Sequence, residues 1–321
     1  MHEEISARVE NAIRERVFPG CVVGIVRSGG EREMFPFGRF TYEADSPEVR
    51  IDTTYDIASV TKSIPTASLA LQMIAEGKLR PDEKVVKYLP EMQNDYDATI
   101  EDLLTYRIHG PQLSKLRLRT FEEIRAHVFE KGFDGPPAES VYTNLPAFLL
   151  GLIIERVEER SLPALAHERF FGPLAMEQTT FFPSPSDCAP TEIDERGEVR
   201  GAPHDESAYV FARARRAAGH AGLFSTAPDL SNFLGALLGG KLPDVAKGAM
   251  RGRGWQTEGG LLGARPEGRF GKTGFTGTSV VCDMQKGIGL VILSNRTFPK
   301  RPPDMTSINA FRSDMADIAL G

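Results

Sequence analysis

GLVILSN, residues 289–295, is a short and strongly apolar run that reads as a buried strand. Residues 278–283 read as the strand before it, with Gly287 in the turn between them. Near the other end of the chain, CVVGIV (21–26) is equally apolar and β-branched. Gly29-Gly30 follows as a turn, and 32–40 reads as a second strand. Helical spacing flanks these strands on both sides. Ile5, Val9, Ile13 and Val17 form one apolar stripe over 4–17, ended by Pro19-Gly20. Ile308, Phe311, Met315 and Ile318 form another in the tail. The two ends carry matching parts, and the simplest packing is one antiparallel sheet made from both termini, with both terminal helices on one face.

The middle of the chain differs. Residues 59–79, 99–106, 120–131, 144–161 and 163–171 read as helices broken by Pro and Gly, while 180–220 reads as long loops. No repeat at a solenoid period is present. The expected fold class is α/β (α+β), with a large helical insertion in a sheet domain. That places 1–58 and 250–321 in the sheet domain, 59–249 in the helical one, and an active site at their interface.

With 321 residues, 41% apolar and 26% charged, the chain can bury a substantial core, which excludes disordered and fibrous classes. Thirty-eight basic against 44 acidic residues give a net charge of −6, a poor balance for binding nucleic acid. Cys21, Cys188 and Cys282 are too few and too scattered for a disulfide framework or a metal cluster, and read as packed thiols. The charged opening MHEEISARVENAIRERV has no apolar core of a signal peptide, and no run is long enough to span a bilayer. The expectation is a cytoplasmic protein, with a trimmed leader as the alternative.

Three short patterns carry chemistry. In Ser59-Val60-Thr61-Lys62, a serine and a lysine three apart share a helix face. The hydroxyl becomes a nucleophile when a base takes its proton, and a lysine serves once burial or another cation lowers its pKa. Alone, the spacing more often means a solvated serine and a surface lysine. In Tyr142-Thr143-Asn144, the tyrosine can move protons and the asparagine can bond a substrate amide; packing plus a helix cap is the ordinary reading. In Lys272-Thr273-Gly274, the cation, the hydroxyl and the bare backbone suit an acyl substrate at a strand edge, against a plain turn. The three stand in this order, separated by 83 and 130 residues, on a helix start, a loop before a helix and a strand.

On these patterns the sequence resembles the serine β-lactamase and penicillin-binding-protein family, in the branch of class C β-lactamases, DD-peptidases and family VIII esterases. The likeness runs through YDIASVTKSI, GKLRPDEKVVKYLPEM, TIEDLLTY, VYTNLPAFLLGLIIE, FFGPLAMEQTTF, GHAGLFSTAPDLSNF and GKTGFTGTSV. It implies a β-lactamase/transpeptidase-like fold and acyl transfer through Ser59, with Lys62 and Tyr142 sharing the proton work. Asn144, Lys272, Thr273 and Gly274 would bind substrate, with Lys272 available to a carboxylate. The N–H groups of Ser59 and Phe275 would form the oxyanion hole. No metal or cofactor is implied. The expected substrate is a small ester, β-lactam or peptide.

Departures from the family bear on the substrate. LLTYRIHG (103–110) stands where relatives usually read LLTHTSG, and Arg213, Arg215 and Arg216 make the loop before Gly219-His220 unusually basic. Both are expected to reshape the substrate cleft. Pro65 is expected to kink the helix that starts near Ser59. Other motifs fall away. His167-Glu168 lacks a second ligand at Phe171, and GALLGGKL (235–242) has Leu242 where a phosphate loop needs Ser or Thr, so it reads as a helix end. His204-Asp205 and His220 read as structural. Lys115, Arg117 and Arg119 read as a solvated edge, with a basic rim for acidic substrates as the minority reading. An intact lactam-binding motif favours β-lactams or D-Ala-D-Ala peptides, whereas the missing export signal favours a cytoplasmic carboxylesterase. A non-catalytic binder of peptide or cell-wall fragments is the reading from another class.

Overall fold

The computed structural model describes all 321 residues. Its main sheet is antiparallel, in the order Arg32–Gly38, Gly20–Arg27, Ile288–Ser294, Ser279–Asp283, Arg269–Thr273. The first and last segments of the chain are therefore neighbours at its centre, with Val23 opposite Ile292 and Val281 opposite Leu290. Alternation along the strands divides the core in two. Val23, Ile25, Leu290 and Ile292 face the terminal helices His2–Arg14 and Thr306–Leu320, whose Ile5, Val9, Ile308, Phe311 and Met315 cover them. Val22, Val26, Val291 and Leu293 face the opposite way, onto Leu230, Phe233 and Leu234 of helix Ala227–Leu238. That face is continuous with the apolar interior of the helical region.

Helices at Phe121–Lys131, Leu145–Glu158 and Ile100–Leu104 fall where the periodicity places them. The segment read as a helix over 59–79 with a kink at Pro65 does break there, and more sharply than a kink: it is a short 3-10 turn, Ala58–Lys62, then a wider turn, then an α-helix at Ser68–Ala75. The break lies at Ile64 (φ −117°, ψ 108°), directly before Pro65, whose ring disfavours a helical residue in front of it. Residues 180–220 are less loop-like than expected. They include a hairpin, Glu192–Asp194 with Gly197–Val199, and a helix, Glu206–Arg213, capped by the Asp205 carboxylate. The helix is only eight residues long, and the Asp205 cap and the burial of Ala208 and Phe211 hold it.

All three cysteines are buried and unpaired. No helix is long and apolar enough to cross a membrane.

The terminal-helix face rests on Phe311, which is fully buried and meets the Phe18 ring edge-on at 4.9 Å. Phe311→Ala should lower the unfolding free energy by about 3–5 kcal/mol in urea denaturation, and a loss under about 1 kcal/mol would mean this face is not a packed core.

Candidate active site

Ser59 occupies the first turn of Ala58–Lys62, where backbone N–H groups have no carbonyl one turn back. The first bond of that turn runs from Val60 N–H to the Ile57 carbonyl. Ala58, just before the serine, holds a left-handed backbone (φ 46°), a conformation that costs free energy in a residue with a Cβ. The Asp56 carboxylate locks this corner by accepting from the N–H groups of Ala58 (2.8 Å) and His204 (2.7 Å). Burial pushes the Asp56 pKa up to about 6, and those two N–H donors pull it back.

One turn on, Lys62 is buried, with Nζ 2.7 Å from Ser59 Oγ and donating to the His220 carbonyl at 2.8 Å. Burial brings its pKa down to about 7, against the opposing pull of Asp205. Tyr142 is half-exposed as a residue, and its hydroxyl faces Ser59. Desolvation of that hydroxyl raises the phenol above its ordinary range, with the Ser59 contact opposing. The Lys62 and Lys272 ammonium positions lie 5.2 and 4.7 Å from the centre of the Tyr142 ring.

Asn144 directly precedes helix Leu145–Glu158 but its side chain does not cap it. It donates instead to Asp205 Oδ2 at 2.9 Å, which leaves its amide oxygen for another donor. Asp205 also accepts from Ser207 Oγ (2.6 Å) and the Ala208 N–H (2.9 Å), with His220 Nε2 at 3.3 Å. Burial alone would raise Asp205; His220, Ser207 and Ala208 together outweigh it and hold the carboxyl ionised. His220 is depressed by burial, so the pair stays a carboxylate beside a neutral imidazole.

Lys272 and Thr273 end the edge strand Arg269–Thr273. Lys272 Nζ is buried and donates to Tyr106 Oη at 3.1 Å. Burial, then the nearby Lys62, hold its pKa well below the usual lysine range. The Thr273 N–H and hydroxyl both donate to Gln256 Oε1, at 3.1 and 3.2 Å. Gly274 packs so tightly that a Cβ would overlap the Ile57 carbonyl oxygen and the Thr278 hydroxyl. Phe275 is exposed, and its N–H has no acceptor in the chain.

Ser59, Tyr142, Asn144, Thr273, Gly274 and Phe275 line one cleft of about 380 Å³, closed further by His204, Asp205, Arg301 and Met305. Lys62 and Lys272 sit beneath it. All eight residues singled out in the sequence thus come together. Tyr106 and Gln256 were not singled out, although Tyr106 is the first departure in LLTYRIHG. It adopts a left-handed backbone (φ 56°) and lies against Tyr142, ring centroids 5.3 Å apart and planes tilted by 46°, to reach Lys272. The arginine-rich loop does not meet its expectation. Arg215 lies over Phe182 and Arg216 pairs with Glu155, around a separate cavity. Arg213, on the last turn of its helix, does not line the cleft either. Nowhere do three or more potential metal-ligating side chains cluster.

A serine at a strained corner, a buried lysine beside it and a sheet edge facing them are the layout of a serine hydrolase. The Beta-lactamase family model matches residues 5–312, and the chain belongs to that family. It is 28% identical over 332 aligned positions to the "Putative D-alanyl-D-alanine carboxypeptidase" of Escherichia coli (strain K12), covering 83% of this chain and 74% of that one. Its fold is similar to the octameric penicillin-binding protein homologue from Pyrococcus abyssi, with TM-score 0.79, 21% identity, and 99% and 77% of the two chains covered. It is likewise similar to the class C beta lactamase from Rhodobacter sphaeroides, with TM-score 0.77, 19% identity and 99% of each chain covered.

The lowered pKa of Lys62 sets a direction for pH. Below about 7 the side chain is an ammonium and cannot accept the Ser59 proton; above it, the free amine can. The rate of Ser59 labelling by a fluorophosphonate should therefore rise through pH about 7 and then level. Lys62→Arg, which keeps its proton, should slow labelling at least about 100-fold and abolish the inflection. A wild-type profile that is flat between pH 5 and pH 9 would remove Lys62 from the role of base.

Proposed function

We propose that the chain hydrolyses a small ester or amide through an acyl-Ser59 intermediate. The observation that carries this reading is the 2.7 Å separation of Lys62 Nζ and Ser59 Oγ in a site that brings the lysine to about 7. Neutral Lys62 takes the hydroxyl proton as Oγ attacks the acyl carbon. The upward shift of Tyr142 favours Lys62 over the tyrosine as first acceptor, and Tyr142, facing Ser59, relays the proton to the leaving group. The N–H groups of Ser59 and Phe275 bond the oxyanion, and the Asn144 amide oxygen accepts from a substrate N–H. Water then attacks the acyl ester by the reverse proton path. Lys272 contributes its field beneath Tyr142.

The leading substrates are β-lactams and D-Ala-D-Ala-like peptides, consistent with the carboxypeptidase name carried by the curated relative. A second reading, a carboxylesterase, is favoured by one observation. Lys272 is buried, does not line the cleft and bonds Tyr106, and the Thr273 N–H and hydroxyl both donate to Gln256, so the cleft offers a substrate carboxylate no exposed ammonium and no uncommitted Thr273 donor. An ester without a carboxylate does not need one. The likeness of the fold to "EstCE1, a hydrolase with promiscuous acyltransferase activity" (TM-score 0.79, 20% identity, 100% and 98% of the chains covered) is compatible with either.

Intact-protein and drug masses recorded over time with benzylpenicillin separate these readings. A lasting adduct on wild type, absent in Ser59→Ala, is expected for a penicillin-binding peptidase; drug loss without adduct is expected for a β-lactamase. No change in either, with turnover of a short p-nitrophenyl ester, would select the esterase. A Ser59→Ala variant that keeps wild-type turnover of any substrate would overturn the acyl-Ser59 mechanism.

A further inference from the structure

Two arginines lie behind the cleft wall at Gly274-Phe275, and neither has a carboxylate partner. Arg312, on the C-terminal helix, is 1% exposed. Its Nη2 donates to the carbonyls of Gly274 (2.7 Å) and Thr278 (2.8 Å), its Nη1 donates to Asn309 Oδ1 (3.0 Å), and its Nε has no acceptor. Arg296, 3% exposed, donates from Nε to the Phe275 carbonyl at 2.8 Å and from Nη1 to the Asp304 carbonyl at 3.0 Å, with Nη2 against Met305 Sδ. No carboxylate offsets the burial of Arg312, and the Asp304 charge offsets that of Arg296 only in part, so two buried guanidinium groups on adjacent carbonyls call for a physical reason.

Peptide geometry supplies one. The Gly274–Phe275 peptide is trans, so its C=O and N–H point in opposite directions. The Gly274 oxygen accepts from Arg312 and, at longer range across the turn, from the Gly277 N–H (3.2 Å), and holding it on that side turns the Phe275 N–H toward the cleft. The Arg296 bond to the next carbonyl fixes the following peptide as well. We infer that Arg312 and Arg296 are positioning residues that clamp the Phe275 N–H as an oxyanion donor, with Arg312, on the carbonyl of the same amide, also polarising it. The inference rests on the acyl-Ser59 reading and names how one half of its oxyanion hole is built. Burial lowers the two guanidinium groups only to about 9 and about 10, so both stay charged at neutral pH and deepen the positive potential where the oxyanion forms.

A matched pair of p-nitrophenyl ester and thionoester tests it, because sulfur is a poor acceptor from N–H donors. An enzyme that depends on the hole prefers the oxygen ester, and one with a slack hole loses that preference. Fluorophosphonate labelling and ester turnover by wild type come first; absence of both overturns the acyl-Ser59 reading itself, and this inference with it. In a wild type that does turn over, Arg312→Met should lower kcat/KM for the oxygen ester by at least about tenfold more than for the thionoester, mainly through kcat. Arg312→Lys should restore part of the preference. Arg296→Lys, a change on a separate segment, should shift the ratio in the same direction and keeps the inference testable if Arg312→Met does not fold. An unchanged ratio in the folded variants, whether or not both rates fall together, would overturn the clamp and leave the arginines as packing.

Discussion

The active site depends on one junction, where the turn after Thr273 is fastened to the backbone just before Ser59. The Thr276 hydroxyl donates to the Asp56 carbonyl at 2.7 Å, and the Thr278 hydroxyl donates to the Ile57 carbonyl at 3.0 Å. Gly274 permits this approach because any Cβ would occupy the same space. The nucleophile and the opposing sheet edge are thus two ends of one hydrogen-bonded assembly, not two surfaces that happen to meet. The rest of the fold serves that contact. The sheet joins the first strand to the last, and the C-terminal helix delivers Arg312 from behind. A displacement of Ser59 relative to Phe275 would have to break at least two buried hydrogen bonds, each costing about 1–3 kcal/mol if left unmade.

Electrostatics follows from the same burial. Lys62 and Lys272 share one enclosed space, and both lose proton affinity there, by desolvation first and by mutual repulsion for Lys272. A lysine near neutrality, as Lys62 is, is of use only if something else holds it in place once it is uncharged, and the His220 carbonyl does that; the Tyr106 hydroxyl holds Lys272. Asp205 works in the other direction. Kept ionised by three partners, it stops Lys62 from falling further and orients Asn144 by the same carboxylate. Removing that charge would therefore alter both the base and the amide-binding group.

Much of this was legible in the chain because the residues that form the site also obey local rules. Short, continuously apolar strands at both ends point to one sheet, since pairing them buries 21–26 and 289–295 together. The three motifs located Ser59, Lys62, Tyr142, Asn144 and Lys272 through chemistry that their ordinary structural roles do not require. What the chain did not disclose is what depends on partners remote in sequence. Tyr106 reads as a substitution in a loop, and its meaning comes from a lysine 166 residues away. Arg213, Arg215 and Arg216 read as a basic loop near the motifs, but the backbone turns the last two onto Phe182 and Glu155. Asn144 sits where a cap belongs and was partly masked by that ordinary role, which its side chain does not perform.

The C-terminal helix was legible as an amphipathic stripe, yet its most consequential residue lies inside that stripe and is charged. Arg312 is next to Phe311 and as deeply buried. Periodicity treats an arginine at such a position as an error or as a face turned to solvent. The structure resolves this by giving the guanidinium carbonyl oxygens rather than carboxylates. Carbonyl dipoles satisfy the N–H groups without cancelling the charge, so the positive potential survives at the cleft wall. A carboxylate in their place would make a more comfortable core and a weaker electrostatic site. The arrangement gives up local stability, offset by the packed apolar faces on both sides of the sheet, to keep positive charge where an acyl oxygen would become negative.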